Sequence, residues 1–269
     1  MTMKGKVVMI TGAARGIGVG IARCFLDAGA SVAITDLDEE LIPVTVTELG
    51  DNAIGLVADA ANQVSMVEAT AKVIDRFSRL DVLVNNAGVG GPKITPAENS
   101  ASDSAAMGMS DEMWDQQLMF NLRTAFSSSR AVIPSLPEGG SIINIASIAA
   151  LGPSTAMPGY GAAKAGVVHL TKTLAIELAS RRIRVNCICP GVLWTRAWEF
   201  LTLQMQATQP ELANMTQRQI FESVVEGMTP LGGEQTPEDI GDLSVFYASD
   251  KARMITGQVV AVDGGISVQ

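Results

Sequence analysis

Apolar positions along this chain fall into two alternating patterns. Seven short runs are almost continuously apolar and rich in β-branched residues, which is typical of strands buried on both faces. Longer stretches between them repeat apolar residues every three or four positions, as amphipathic helices do. The predicted strands comprise residues 6–11, 31–36, 53–59, 80–86, 141–147, 183–189 and 258–263. This alternation predicts a parallel sheet covered by helices on both faces.

The helices between these strands are defined with unequal clarity. The helix expected before the fourth strand has one apolar face, which consists of Val64, Val67, Ala71 and Ile74. The segment between the second and third strands is less clear, because it contains Pro43 and the β-favouring run VTVT.

Together these elements predict an α/β fold with a single doubly wound Rossmann domain, residues 1–269, whose seven-stranded sheet is mainly parallel. Two segments depart from this compact layout. Residues 89–110 are rich in Gly, Ala and Ser and lack periodicity, so they are expected either to cover the substrate or to form a solvated insertion. Residues 194–232 follow the sixth strand and are expected to form a substrate-binding loop or helical lid.

Composition and charge exclude several classes of function. Hydrophobic residues make up 47% and charged residues 17% of the 269 residues, which fits a compact globular protein and not a disordered chain. A net charge of −9 without a basic stripe disfavours nucleic-acid and anionic-membrane partners. The apolar run near the N-terminus is too short for a secretory h-region, and no apolar run reaches about 18 residues, so neither a secretory signal nor a membrane span is expected. We therefore expect a cytoplasmic protein.

Cysteine and histidine, which often bind metals, are few, with three cysteines and one histidine. Cys24, Cys187 and Cys189 are too few for a disulfide framework, and the last two are expected to be small buried hydrophobic residues. The single histidine, His169, lies in an apolar helical stretch without a Cys, Asp or Glu at ligand spacing, so it is expected to be packed inside the protein. No metal site is predicted.

A glycine-rich turn follows the first strand. The motif TGAARGIG places Gly12, Gly16 and Gly18 where the chain changes from strand to helix. Glycine permits a tight turn there and lets backbone amides approach a pyrophosphate, which also faces the positive end of the helix dipole. The sequence therefore predicts a dinucleotide cofactor at this turn.

Two charged residues near the turn bear on the choice of cofactor. Asp36 ends the second strand, where an acidic side chain hydrogen-bonds the adenosine ribose and repels the 2′-phosphate of NADP. Arg15 lies within the turn and is a contrary signal, since a guanidinium can pair with that phosphate. Because the contact of Asp36 would be direct, we predict NAD, with NADP as the alternative.

A tyrosine and a lysine are spaced by one helical turn in MPGYGAAKAG. Tyr160 and Lys164 would share one face of a helix, and Ser147 lies at the preceding strand end. A phenol with an ordinary pKa of about 10 is a poor base at neutral pH, and a neighbouring ammonium stabilises its phenolate. A tyrosine beside an ammonium is therefore suited to act as a general acid or base. The alternative, an ordinary surface pair, is disfavoured by the serine and the cofactor turn.

Several ordered motifs together resemble the short-chain dehydrogenase/reductase family over essentially the whole chain. They are TGAARGIG, NNAG, the asparagine of MFNLRTAF, the serine of NIASIAALG, the YxxxK pair, NCICPGVLWT and ITGQVVAVDGG. The resemblance implies hydride transfer between a nicotinamide and a carbinol carbon. It also implies catalytic roles for Asn121, Ser147, Tyr160 and Lys164, with Asn121 supporting a water linked to Lys164.

The same resemblance implies cofactor contacts and an assembly. Asp59 is expected at the adenine amino group, Asn86 at the adenosine-side ribose, Lys164 at the nicotinamide ribose, and Val192 and Thr195 at the carboxamide. The full predicted cofactor set is Gly12, Arg15, Gly16, Ile17, Gly18, Asp36, Asp59, Ala60, Asn86, Tyr160, Lys164, Val192 and Thr195. Family membership would also imply a homotetramer.

Large apolar side chains within residues 194–232 bear on the substrate. Trp194, Trp198, Phe200 and Met205 either pack on the body as a helical hairpin or line an apolar pocket. Such residues suit a bulky, largely apolar alcohol or ketone, cyclic or steroid-like. Two alternatives stay open: an NADPH-dependent 3-oxoacyl thioester reductase of fatty acid synthesis, and a non-catalytic nucleotide-sensing module.

Overall fold

The computed structural model describes residues 1–89 and 108–269, so almost all of the expected loop at 89–110 lies outside the described residues. The strands are β1 Val7–Thr11, β2 Ser31–Asp36, β3 Ala53–Val57, β4 Val82–Asn85, β5 Ser141–Ile145, β6 Arg184–Pro190 and β7 Val259–Val262. They form a seven-stranded sheet in the order β3-β2-β1-β4-β5-β6-β7. Every neighbouring pair in it is parallel, which confirms the predicted doubly wound α/β fold.

Helices connect the strands and flank the sheet. They are α1 Gly16–Asp27, α2 Leu41–Leu49, α3 Gln63–Phe77, α4 Asp111–Leu118, α5 Thr124–Val132, α6 Pro158–Glu177, α7 Arg196–Thr208, α8 Gln217–Met228 and α9 Pro237–Ala248. A π-helical turn, Met119–Arg123, joins α4 to α5. The doubtful segment between β2 and β3 does form a helix, because Pro43 is its third residue, where a missing N–H breaks no intrahelical bond.

The core has two layers, one on each face of the sheet. Along β1, Val8 and Ile10 point into a cluster that contains residues of α1 and α9. Val7 and Met9 point into the opposite cluster, with residues of α3, α5 and α6. This alternation follows from the two-residue period of a strand, and each fully buried large apolar side chain contributes roughly 1.5–3 kcal/mol to stability.

Helix α3 packs on the sheet through a different face from the one predicted. Val64 and Val67 are 67% and 48% exposed and Ala71 is also exposed, so the predicted apolar face is wrong except for Ile74, which is partly buried against the core. The buried residues of this helix are Met66, Ala69, Thr70 and Val73. Both sets repeat every three or four residues, so periodicity did not distinguish between them. Packing against the sheet therefore decided which of the two faces is buried.

The sequence analysis expected His169 of α6 and the two cysteines of β6 to be buried, and the outcomes differ. His169 is exposed, so the expectation that it is packed is wrong. It lies across α6 from Lys164, Val167 and Thr171, which form the buried face. The expectation for Cys187 and Cys189 is confirmed, because both thiols are fully buried in β6.

Among residues 1–89 and 108–269, no helix combines the length and the hydropathy that a membrane crossing requires. Over the same ranges, no three His, Cys, Asp or Glu side chains are grouped in a way that suits a metal ion.

Candidate active site

The strand order reverses between β1 and β4, and open α/β sheets bind ligands at the carboxyl ends of such strands. Gly12 follows β1 with a φ of 61°, and Gly16 has a φ of 58°. A Cβ on Gly12 would lie 2.7 Å from the Cα of Ala87, and one on Gly18 would lie 2.6 Å from the Cα of Ala13. Larger residues do not fit at these two positions. The backbone therefore keeps the close turn that a dinucleotide requires.

Asn86 holds the glycine turn against the chain that follows β4. Its Nδ2 donates to the carbonyls of Thr11, at 3.0 Å, and Gly12, at 2.8 Å. The Oγ1 of Thr11 in turn accepts from the backbone N–H groups of Asn86, at 3.1 Å, and Ala87, at 3.0 Å. The amide nitrogen of Asn86 is thus committed to shaping the turn.

Asp36 and Asp59 lie at the carboxyl end of the sheet, on the β2–β3 side of β1. The Oδ2 of Asp36 accepts from the N–H of Ala14 at 3.0 Å, and its Oδ1 accepts from the N–H of Leu37 at 2.8 Å. Asp59 lies just beyond β3, and its Oδ1 accepts from the N–H of Ala61 at 2.8 Å. The position of these carboxylates is the one expected for an adenosine site.

Three other residues of the predicted cofactor set make contacts within the protein. Ile17 packs against the core cluster under α1. Ala60 is buried, and its carbonyl accepts from the Oγ of Ser128 at 3.2 Å. Arg15, which precedes α1, forms an ion pair with Asp38, two residues beyond the end of β2.

The side chains of Lys164 and Asn121 both lie next to Gly88, in the segment that follows β4. Lys164 is almost fully buried on α6, and its Nζ donates to the carbonyl of Ile145 at 3.0 Å. A Cβ on Gly88 would lie 3.2 Å from the Nζ of Lys164 and 2.8 Å from the Oδ1 of Asn121. The Nζ also lies 5.7 Å from the centroid of the Tyr160 ring. Three of the predicted catalytic residues are therefore adjacent.

Asn121 lies in the middle of the π-helical turn between α4 and α5. Its Oδ1 accepts from the N–H of Val89 at 3.1 Å, and its Nδ2 donates to the Oε1 of Gln117 at 3.1 Å. Gln117 is only 2% exposed. Turns of this kind are rare and frequently occur at functional sites, because they re-aim side chains within a helix. Here the turn and Gln117 together fix the orientation of the Asn121 amide.

Tyr160 and Ser147 form the rest of the predicted catalytic set. Ser147 follows β5, and its Oγ accepts from the N–H of Ala149 at 3.2 Å. Burial raises the pKa of Tyr160 above its ordinary value, while a hydrogen bond with Ser147 acts in the opposite direction. The balance is a raised pKa, which is opposite to the effect expected from Lys164 alone.

Burial also acts on Lys164, and it lowers the pKa of this ammonium to about 8. The physical cause is desolvation, which disfavours the charged form of a buried lysine. At neutral pH the group therefore still carries its positive charge beside the phenol of Tyr160, although that charge is easily lost.

The segment that follows β6 approaches the glycine turn closely. The Cγ2 of Thr195 lies 3.9 Å from the place of a Cβ on Gly16. Val192, three residues earlier, is buried against Phe221 and Val225 of α8. Val192 and Thr195, which are predicted to bind the carboxamide, thus lie at the start of the segment that leads from β6 to α7 and α8.

An aromatic cluster joins α7 and α8 to this connection. The ring centroids of Trp194 and Trp198 lie 5.0 and 5.3 Å from that of Phe221, both edge to face. The guanidinium of Arg218 lies 5.4 Å from the Trp194 ring. The packed hairpin was one of the two expectations for these tryptophans. Phe200 of α7, in contrast, is 47% exposed.

Two residues of the site escaped the sequence analysis. Gln117 has one signal in the sequence, a polar residue four positions before Asn121 on the same helical face. Asp38 is the second acid of the run DLD after β2. Neither signal is distinctive without the contacts that the fold brings about.

The comparisons with known proteins agree with this geometry. The family model described as "Enoyl-(Acyl carrier protein) reductase" matches residues 12–267. The 3-oxoacyl-[acyl-carrier-protein] reductase FabG of Chlamydia pneumoniae is 34% identical over 99% of this chain and 99% of its own. Subunit BbsD of (2S)-[(R)-hydroxy(phenyl)methyl]succinyl-CoA dehydrogenase from Thauera aromatica is 36% identical over 100% of this chain and 99% of its own.

A solved structure extends the agreement to three dimensions. The crystal structure of 3-ketoacyl-(acyl-carrier-protein) reductase from Brucella melitensis complexed with NADH has a TM-score of 0.81 and 31% identity, over 99% of this chain and 100% of that chain. The chain therefore belongs to the short-chain dehydrogenase/reductase family. The predicted family and the prediction of an oxidoreductase acting on CH–OH or keto groups are confirmed. The roles of individual residues stay predictions.

Proposed function

We propose that this protein transfers a hydride between NAD(H) and a secondary alcohol or ketone that is bulky and largely apolar, cyclic or steroid-like. The observation that carries the proposal is that Lys164 and Asn121 both lie beside Gly88, while the Nζ of Lys164 also lies 5.7 Å from the centroid of the Tyr160 ring. Ser147 is close enough to Tyr160 to lower the pKa of its phenol, so all four predicted catalytic side chains belong to the same region of the protein.

The chemistry assigned to these side chains is proton transfer. When bound, NAD(H) supplies or accepts the hydride. Tyr160 donates a proton to the ketone oxygen in reduction and accepts it from the alcohol in oxidation. Ser147 hydrogen-bonds the same oxygen and keeps it within reach of the phenol. The charge of Lys164 favours phenolate, and Asn121 supports proton exchange with water.

NAD(H) is favoured over NADP(H) by the charges around the end of β2. Asp36 is fixed by the N–H of Ala14 beside the glycine turn. A carboxylate there repels a 2′-phosphate and accepts hydrogen bonds from ribose hydroxyls. The relative from Brucella melitensis was solved with NADH, which is consistent with this choice.

The substrate class rests on the aromatic cluster of Trp194, Trp198 and Phe221. The cluster packs Trp194 and Trp198 against Phe221 directly after the residues predicted to bind the carboxamide, and their partly exposed faces are proposed to meet a bulky apolar substrate. The relative from Thauera aromatica bears the name of a dehydrogenase whose substrate carries a phenyl group.

An absorbance screen of NADH production and consumption tests the proposal. Secondary alcohols and ketones of increasing size are each assayed with NAD(H) and with NADP(H). Tyr160→Phe should abolish turnover of the best substrate and leave cofactor binding intact. The matched control is Tyr247→Phe, since Tyr247 is buried in the core under α9 and should not matter for turnover. Undiminished turnover in Tyr160→Phe would contradict the mechanism.

A second candidate is the NADPH-dependent reduction of 3-oxoacyl thioesters, which the name of the Chlamydia pneumoniae relative favours. Including a 3-oxoacyl thioester in the screen separates the two. Faster turnover of this compound with NADPH than of any ketone with NADH would establish the second candidate. Cofactor binding without turnover of any compound would indicate the nucleotide-sensing module.

We also propose a homotetrameric, cytoplasmic protein on the strength of family membership. Light scattering of the purified protein measures the number of subunits directly.

A further inference from the structure

Arg15 and Asp38 form an ion pair across the mouth of the expected adenosine site. Arg15 lies in the glycine turn, directly before α1, and Asp38 lies two residues past the end of β2. The pair therefore bridges the two segments that flank an adenosine ribose in this kind of fold. Both side chains keep more than a third of their surface exposed, so a ligand can reach them.

Asp38 is held in place by the backbone around it. Its Oδ1 accepts from the N–H of Leu41, at the start of α2, at 3.0 Å. Its own N–H donates to the Oδ1 of Asp36 at 3.2 Å. One carboxylate oxygen thus fixes Asp38 to α2, while the other oxygen is directed at Arg15.

The charges of these residues decide what the site accepts. Arg15 is the cation that lies in the turn, and its charge is compensated by Asp38. Asp36 adds a second carboxylate beside the turn, so the three residues together carry one net negative charge. To reach Arg15, a 2′-phosphate would have to break the ion pair with Asp38, which loses a charge-assisted hydrogen bond. It would also come close to the carboxylate of Asp36, which repels it.

We propose that Asp38 is a specificity-determining residue, which excludes the 2′-phosphate of NADP(H) by keeping the guanidinium of Arg15 paired. This inference rests on the proposed use of NAD(H). It explains why an arginine in the glycine turn does not confer NADP binding on this chain.

A simpler role for the pair is to tie α1 and α2 together, as surface ion pairs do. The neighbouring pair Arg23–Glu48 also joins these helices, at 3.5 Å, with both side chains about half exposed. Glu48 lies at the end of α2, away from the turn. Glu48→Gln therefore removes the same charge from the same surface without releasing Arg15, and it serves as the matched control.

The test compares dissociation constants for NADH and NADPH, measured by cofactor fluorescence. Asp38→Asn keeps an oxygen for the N–H of Leu41 and removes the charge that binds Arg15. We expect it to tighten NADPH binding about tenfold, the value of one hydrogen bond to a charged group. NADH binding should change much less, and Glu48→Gln should change neither constant. Adding Arg15→Ala to Asp38→Asn should abolish the gain.

The outcomes separate this inference from the proposed function. If the wild type prefers NADH but Asp38→Asn leaves the ratio of the two constants unchanged, only the role of Asp38 is overturned. A gain that persists after Arg15→Ala, or that Glu48→Gln reproduces, also overturns it, because the effect would then be one of net charge. Equal or tighter binding of NADPH by the wild type would overturn both the choice of NAD(H) and the role of Asp38.

Discussion

The ammonium of Lys164 donates a hydrogen bond to the backbone carbonyl of Ile145, at 3.0 Å, at the end of β5. This carbonyl fixes the Nζ within 5.7 Å of the centroid of the Tyr160 ring. A neutral oxygen stabilises a buried cation less than a carboxylate would. The positive charge is therefore held close to the phenol at a cost in stability, and desolvation by burial lowers the pKa of Lys164 to about 8.

The free energy of unfolding should show this cost as a dependence on pH. Between about pH 8 and the ordinary lysine value of 10.5, the unfolded chain binds more protons at this residue than the folded chain does. Stability should therefore rise with pH across this window, by roughly 3 kcal/mol from Lys164 alone. Urea unfolding of the wild type and of Lys164→Met, at several pH values in the window, measures the difference.

Lys172→Met is the control for this experiment, because Lys172 is an exposed residue of the same helix. The free energy of unfolding of Lys172→Met should change with pH in the same way as that of the wild type. Parallel curves for the wild type and Lys164→Met would show that the pKa of Lys164 is not depressed.

Ser147→Ala should move the pH profile of alcohol oxidation. Burial raises the pKa of Tyr160, and the hydrogen bond with Ser147 lowers it, so removal of the hydroxyl should raise the pKa further. The rate limb that requires phenolate should therefore shift to higher pH, and the maximal rate should fall by about 10²–10³ because the substrate oxygen loses a donor. Steady-state rates across the alkaline range measure both effects. If Ser147→Ala is slower but its rate rises at the same pH as that of the wild type, then Ser147 does not influence the pKa of Tyr160.

Much of this architecture could be predicted from the sequence, because it depends on local patterns. Parallel strands covered on both faces need nearly continuous apolar runs, and the glycine turn needs residues that tolerate a positive φ, as Gly12 and Gly16 do. The YxxxK spacing likewise places Tyr160 and Lys164 one turn apart in any α-helix.

The features that escaped prediction depend on contacts between distant segments. The pKa of Lys164 is lowered by burial that several elements create together, and the partner of Arg15 comes from the end of β2. The face of α3 was decided by packing, because its two candidate stripes have the same period. His169 was misplaced for a related reason: α6 is apolar over much of its circumference, and the sequence does not say which side meets the sheet.

Gln117→Leu should lower kcat through Asn121. The substitution removes the Oε1 that accepts from the Nδ2 of Asn121 at 3.1 Å and leaves the amide less firmly oriented. The loss of one such bond corresponds to about a tenfold lower kcat, with the dissociation constant of NADH unchanged. The matched control is Gln116→Leu, an exposed neighbour on α4, which should retain the wild-type rate. Equal rates in the two variants would exclude Gln117 as a positioning residue.

Phe221→Ala should loosen the aromatic cluster that Phe221 forms with Trp194 and Trp198. Phe221 is fully buried between Trp194 and Trp198, so its truncation should cost about 3–5 kcal/mol if the surroundings do not relax. The KM of the bulkiest substrate should rise more than that of a small ketone, because the tryptophans lose their support. Thermal unfolding and the two KM values measure these effects. The half-exposed Phe200 gives the control, and Phe200→Ala should leave the melting temperature nearly unchanged.

Because of the π-helical turn Met119–Arg123, the orientation of Asn121 depends on the number of residues in this stretch of helix as well as on their identity. Its wider loop holds one residue more than a regular α-helical turn. Removal of Phe120 alone would restore a regular helix, but it would rotate Asn121 by about 100° relative to Gln117. Such a chain would keep all four residues that are predicted to be catalytic and gain a regular helix, but Asn121 would no longer be aligned with the other three. Insertions and deletions in this short stretch are therefore constrained more severely than substitutions at its exposed positions.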